Sequence, residues 1–129
     1  MNSEIFNLFV QGVKAFNSRK YYSAHEYFED IWTNHHLDDR LFVQALIQLS
    51  VAYFHITNFN KNGAIGLFNK SISKLDSYKN RTEIVTNIND VIELAHQSLA
   101  HIKSIESMDK FKWELAPNLD LNEKLIDRV

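Results

Sequence analysis

Apolar side chains recur along this chain at three- and four-residue spacing, the period of an α-helix with one inward face. A first helix is predicted from a Ser3 cap to about Asn17, with Ile5, Phe6, Phe9, Val13 and Phe16 on one side. After the break "NSRKYY" a second begins near Ser23 and sets Ala24, Tyr27, Phe28, Ile31 and Trp32 on its apolar face. Asp38 or Asp39 is expected to cap a third, over about 39–58. That helix is apolar nearly all round, as a helix surrounded by protein must be. The turn "TNFNKNG" leads to a fourth, capped by Asn60 or Asn62 and carrying Ala64, Leu67, Phe68, Ile72 and Leu75. A polar loop, "DSYKNR", precedes a fifth from about Thr82 to Ser107, striped by Ile84, Ile88, Val91, Ile92, Ala95, Leu99 and Ile102. From Met108 the period dissolves, and Trp113 and Pro117 mark an extended tail held by aromatic and Leu side chains.

A weak repeat underlies the first four helices. A shift of 40 residues superposes Ala24, Phe28 and Trp32 on Ala64, Phe68 and Ile72, and Phe9 on Leu49. Two copies are too few for a solenoid. The expected fold is all-α: a compact bundle of about five helices, two antiparallel hairpins plus a capping fifth helix. Residues 1–107 form the helical domain on this reading, and residues 108–129 the extended C-terminal tail packed on it.

Composition narrows the function classes. With 129 residues the chain can bury one sizeable core. Three Gly and one Pro are too few for a turn-rich β-sandwich. A formal net charge of -2 leaves no electrostatic footprint for nucleic acid or an anionic membrane, so neither is expected as a partner. The absence of Cys excludes disulfides and thiolate metal sites and fits a reducing compartment. No apolar run approaches the length of a membrane span, and no signal-peptide pattern opens the chain. A soluble cytoplasmic protein is the expectation.

Polar side chains interrupt the apolar helices at particular places. "AHEYFEDIW" supplies His25, Glu26, Glu29 and Trp32, and "FVQALIQLSVAYFHI" supplies Gln44, Gln48 and His55. Such groups are costly to bury unless partnered, so they form either a closed network or a binding site. At about 100° per residue, Gln44, Gln48 and His55 share one stripe of the third helix. His25 and Glu29 are i, i+4 neighbours on the second, while Glu26 lies further round toward solvent. If these two helices pack antiparallel, His25, Glu29, Gln48 and His55 are expected to gather around Trp32.

"FNSRKYYSAHEYFEDIWTN", "FVQALIQLSVAYFH" and "NKNGAIGLFNKSISKL" together resemble the bacterial, cyanobacterial and plastid family of domain of unknown function 309. The matched positions are Asn17, His25, Glu26, Glu29, Trp32, Gln44, Leu46, Ile47, Gln48, His55, Asn60, Gly63, Ala64 and Leu67, within a family-like core of about residues 13–75. Two family glycines are Ala45 and Phe59 here. The first substitution costs little within a helix, and the second implies a differently built turn before the fourth helix. The resemblance implies an all-helical fold and carries no established activity.

Three chemistries fit the constellation. His25-Glu26-x-x-Glu29 is a HExxE motif, one ligand short of the zinc-binding His-Glu-x-x-His. A divalent-metal site of His25, Glu29 and His55 would still offer two imidazoles and a carboxylate, a donor set suited to zinc or iron. A hydrogen-bonded network fixing the second and third helices is the structural alternative, and a pocket for a small polar ligand the third. His35 and His36 close the second helix beside its C-terminal dipole. His96 and His101, five residues apart, point about 140° from one another and read as unrelated surface or edge positions. No Ser/His/Asp set or phosphate-binding Gly loop is present. The leading expectation is a non-catalytic binding or scaffold module with a protein partner or small polar ligand. The alternative is a metal- or ligand-dependent enzyme, such as a hydrolase, using His25, Glu29 and His55 with Glu26 or Gln48 handling water.

Overall fold

A computed structural model describes residues 1–35 and 37–128, with side chains described through Leu125. Five α-helices pack against one another: α1 (Ser3–Asn17), α2 (Tyr21–Asn34), α3 (Arg40–Thr57), α4 (Lys61–Leu75) and α5 (Ile88–Ser104). The cap of α1 is Asn2 rather than Ser3, its Oδ1 accepting the Ile5 N–H at 2.9 Å. Asp39 precedes α3 as expected, but its side chain makes no capping bond; its carboxylate faces Arg81 at 3.5 Å. Asn60 caps α4 through the Gly63 N–H at 2.9 Å.

Both hairpins close with the same turn. At the end of α1, Arg19 N–H bonds the Phe16 carbonyl and Lys20 N–H reaches back to Ala15. At the end of α3, Phe59 N–H bonds Ile56 and Asn60 N–H bonds His55. This is the Schellman pattern, which needs a left-handed residue just past the helix. Arg19 (φ 61°) and Phe59 (φ 58°) supply it without being glycine. The two lie 40 positions apart, and so do the starts of α2 and α4 and the ends of α1 and α3. The weak repeat is therefore a repeat of turn geometry as well as of apolar spacing. The expectation of a differently built turn at Phe59 is corrected: the backbone takes the conformation glycine favours, held by two reverse hydrogen bonds. The tight turn also lets α2 begin at Tyr21, two residues earlier than its apolar period suggests.

Helix α5 begins later than its apolar stripe and ends at Ser104, short of the expected Ser107. Residues 84–86 pair instead with the tail: Val85 bridges Leu121, Thr86 N–H bonds Asp120 and Asn122 N–H bonds Ile84, both at 2.8 Å. Ile84 and Val85 are buried by this pairing rather than by helix formation. The tail is not extended throughout, because residues 108–110, 113–115 and 123–128 form short 3-10 turns. Two asparagines clamp it by mimicking a backbone partner. Asn17 exchanges two hydrogen bonds with Leu119, at 3.0 and 2.8 Å, and Asn87 bonds Asn118 and Asp120, both at 2.9 Å. His101 adds a third tether, its Nε2 accepting the Lys112 N–H at 3.2 Å.

The core centres on Tyr53 of α3, which is fully buried. Rings from Phe16, Tyr21, Phe68, Phe111 and Trp113 surround it, with centroids 5.0–6.5 Å away. Gly12 permits the close approach of α1 to α2, since a Cβ there would lie 2.5 Å from the Phe28 ring. No described helix is long and apolar enough to cross a membrane.

Two outcomes follow. A Cβ in the left-handed region costs about 1–2 kcal/mol, partly offset by the chain entropy of glycine. Phe59→Gly is therefore expected to raise stability in denaturant titrations by about 0.5–1 kcal/mol. Phe59→Ala, which keeps the Cβ, is not; an equal gain from both would refute the strain. Burial also pushes the Tyr21 phenol up from its ordinary value near 10 to about 12, with Arg19 opposing, and pushes Tyr53 up as well. Both phenols hold their protons longer folded than unfolded, so their contribution is complete below pH 10 and declines above it. The urea midpoint is expected to fall as pH rises from 10 to 12, and less steeply in Tyr21→Phe.

Candidate functional site

Helices α2 and α3 meet along a seam whose polar edge carries the candidate residues. Glu29 and Trp32 sit one turn apart on α2, and Gln44, Ile47 and Gln48 share one face of α3. Together they line an open pocket of about 200 Å³. Trp32 is half-buried, with the Arg40 guanidinium 4.5 Å from its ring centroid in a cation–π arrangement. Gln48 is held from the far side: its Oε1 accepts a bond from Lys74 Nζ of α4 at 3.0 Å, and Lys74 also reaches the Lys70 carbonyl. Gln44 is half-buried, and its amide makes no hydrogen bond among the described residues. Among the described residues no buried side-chain nitrogen or oxygen is left unpaired, so that amide faces solvent through the pocket.

The histidines stand elsewhere. His25 donates from Nδ1 to the Tyr22 carbonyl, and its Nε2 lies 3.3 Å from Glu29 Oε2. His55, near the end of α3, receives the Asn60 amide on Nδ1 at 3.3 Å. Because the Gly63 N–H requires Asn60 Oδ1, the amide orientation is determined and the NH2 must face His55. The neutral ring then carries its proton on Nε2. Gly63 is demanded by the same contact: a Cβ there would lie 2.6 Å from Asn60 Nδ2 and 3.0 Å from His55 Cγ. The rings of Tyr22 and Phe54 lie between the two histidines, Tyr22 touching His25 at 4.6 Å and Phe54 at 5.2 Å.

The expected single cluster is thus a row. Glu29, Gln44 and Gln48 gather at Trp32, His25 reaches that group only through Glu29, and His55 with Asn60 forms a separate unit at the α3–α4 turn. The reason is helix rise: His55 follows Gln48 by seven residues, about 10 Å along α3. Among the described residues no three His, Cys, Asp or Glu side chains come together so as to hold a metal, and His25, Glu29 and His55 are not assembled. Glu26 is exposed and shares with Glu29, Asp30, Thr33 and Asn34 a shallow depression of about 280 Å³.

Other residues were not legible as site neighbours. Arg40 and Lys74 engage Trp32 and Gln48 from outside the motif, and neither Tyr22, which fell in the break before the second helix, nor Phe54 carried a polar signal. Asn17 belongs to the motif yet clamps the tail, away from the seam. His35 closes α2 as its C-cap, its N–H bonding the Ile31 carbonyl at 3.0 Å and its Nε2 lying 3.9 Å from Glu4, and His36 lies outside the described residues. His96 bonds Asp76 at 2.9 Å.

The family model described as "Domain of unknown function (DUF309)" matches residues 9–67, from within α1 to within α4. That span holds the whole row from His25 to Gly63. No curated protein and no solved structure matches the chain.

The two glutamines separate a structural role from an uncommitted one. Gln48→Ala removes a charge-assisted acceptor from half-buried Lys74 and is expected to cost about 1–2 kcal/mol. Gln44→Ala is expected to stay within about 0.5 kcal/mol in the same chemical denaturation. Equal losses would contradict the assignment.

Proposed function

We propose that this chain, a member of the DUF309 family through residues 9–67, is a non-catalytic helical binding module that recognises a protein partner across the α2–α3 seam. The observation that carries this reading is the Gln44 amide. Its neighbours are committed, Gln48 to Lys74, Trp32 to Arg40 and Glu29 to His25, whereas Gln44 stands in a pocket wall with its donors and acceptor unspent. A half-buried amide beside an aromatic face and an Ile side chain has the composition of a recognition pocket: an apolar floor with a few polar groups that fix orientation. The enzyme reading draws no support from this placement, since His25 and Glu29 pair with one another while His55 pairs with Asn60.

A photo-crosslinking residue at Gln44, expressed in the native host, is expected to yield one discrete protein adduct that Trp32→Ala abolishes. The same residue at Glu93, exposed on α5, is expected to yield none. No adduct at Gln44, or the same adduct from both positions, would overturn the proposal.

A further inference from the structure

We infer that the occupant of this seam is an amphipathic helical segment whose polar flank carries Lys or Arg. The inference rests on the binding-module reading of the same site and names its partner's chemistry. The pocket at Trp32 and the shallow depression on α2 share Glu29 and so adjoin at that side chain, the two together making the docking groove. Its floor at one end is Trp32 and Ile47; its rim at the other holds the carboxylates of Glu26, Glu29 and Asp30. Among the described residues no Lys, Arg or His lines either part, His25 reaching Glu29 from outside the groove at 3.3 Å. The nearest cations are already engaged, Arg40 over the Trp32 ring and Lys74 on Gln48 and the Lys70 carbonyl. The rim is therefore negative and solvent-facing beside an apolar floor, and charge complementarity calls for a cationic flank beside an apolar anchor.

Geometry selects a helix. Both walls are helices whose backbone groups are spent internally, so no strand edge is available for an extended peptide to join. From Glu26 to Thr33 the rim runs seven residues, about 10 Å, enough for two turns of an incoming helix. A pocket of about 200 Å³ accepts one apolar side chain, with the Gln44 amide placed to bond a neighbouring polar one. The same carboxylates disfavour phosphate, which sets nucleic acid and anionic lipid against this groove.

Two synthetic amphipathic helical peptides with one apolar face, flanked by Lys in one and by Glu in the other, test this by calorimetry and NMR. The Lys-flanked peptide is expected to bind saturably and to shift the Trp32 indole and Gln44 side-chain amide resonances. Glu29→Lys is expected to weaken it at least tenfold, as is Glu26→Lys, a second variant at an exposed position, each with unchanged thermal unfolding. Equal binding of the Glu-flanked peptide, unchanged binding by both variants, shifts confined to α5, or binding of a single-stranded oligonucleotide at the same residues would overturn the inference. If the Gln44 adduct in cells persists undiminished in Glu29→Lys, the basic helix is wrong and the binding module stands. If there is no adduct at all, both fail.

Discussion

A phenol hydroxyl placed where water cannot reach is the constraint around which this molecule is organised. Tyr53 is fully buried, and burying its ring contributes about as much, 1.5–3 kcal/mol, as an unpaired hydroxyl would cost. The balance is decided by one chain of bonds. Ser98 of α5 gives its hydroxyl hydrogen to the Leu115 carbonyl at 3.1 Å, so the Tyr53 O–H donates to Ser98 at 2.9 Å. That relay joins α3, α5 and the tail. The surrounding rings come one or two at a time from α1, α2, α4 and the tail, so the position of Tyr53 ties all of them together.

The duplicated hairpin explains why the candidate site is a row. Each hairpin ends its first helix with a left-handed residue and starts its second two residues later, which sets the two helices side by side in register. Between the hairpins, α2 and α3 pack antiparallel, and the polar stripe of one runs along that of the other. Helices in this arrangement bring residues together pair by pair along their length. Three ligands converging on one point would require side chains from one level of the bundle, and His25, Glu29 and His55 do not share one. Glu29 and His25 meet because they are one turn apart; His55 finds Asn60 because the turn returns the chain to it.

Much of this was legible in advance. Helix number, the buried faces and the repeat follow from apolar spacing, because period and burial are both consequences of 3.6 residues per turn. The placement of Gln48 beside Trp32 followed from face analysis as well, whereas that of Gln44 did not. The engagement of Arg40 with Trp32 and of Lys74 with Gln48 did not, since a long cationic side chain shows no periodic signal and its partner lies on another element. The start of α5 was misread for a related reason. Ile84 fits the helical stripe, but its neighbour Val85 is taken up by a strand-like partner 36 residues away, Leu121. Gly63 stood out only as a motif position, and the Asn60 amide, packed against the His55 ring, that forbids a Cβ there is visible only in three dimensions.

By itself, then, the amino-acid sequence determined the local terms: where helices can form, which face each must hide, and which polar residues would need partners. Those terms depend on neighbours within a few positions and on the cost of burying polar groups. Tertiary structure alone decided which partner each group obtained. It split an apparent His/Glu/Gln cluster into a satisfied row with one uncommitted amide, and it turned the motif residue Asn17 into a tail clamp and set the Asn60 cap against His55. Pairing across helices is set by packing the whole core around Tyr53 at once, and no short stretch of chain carries that information.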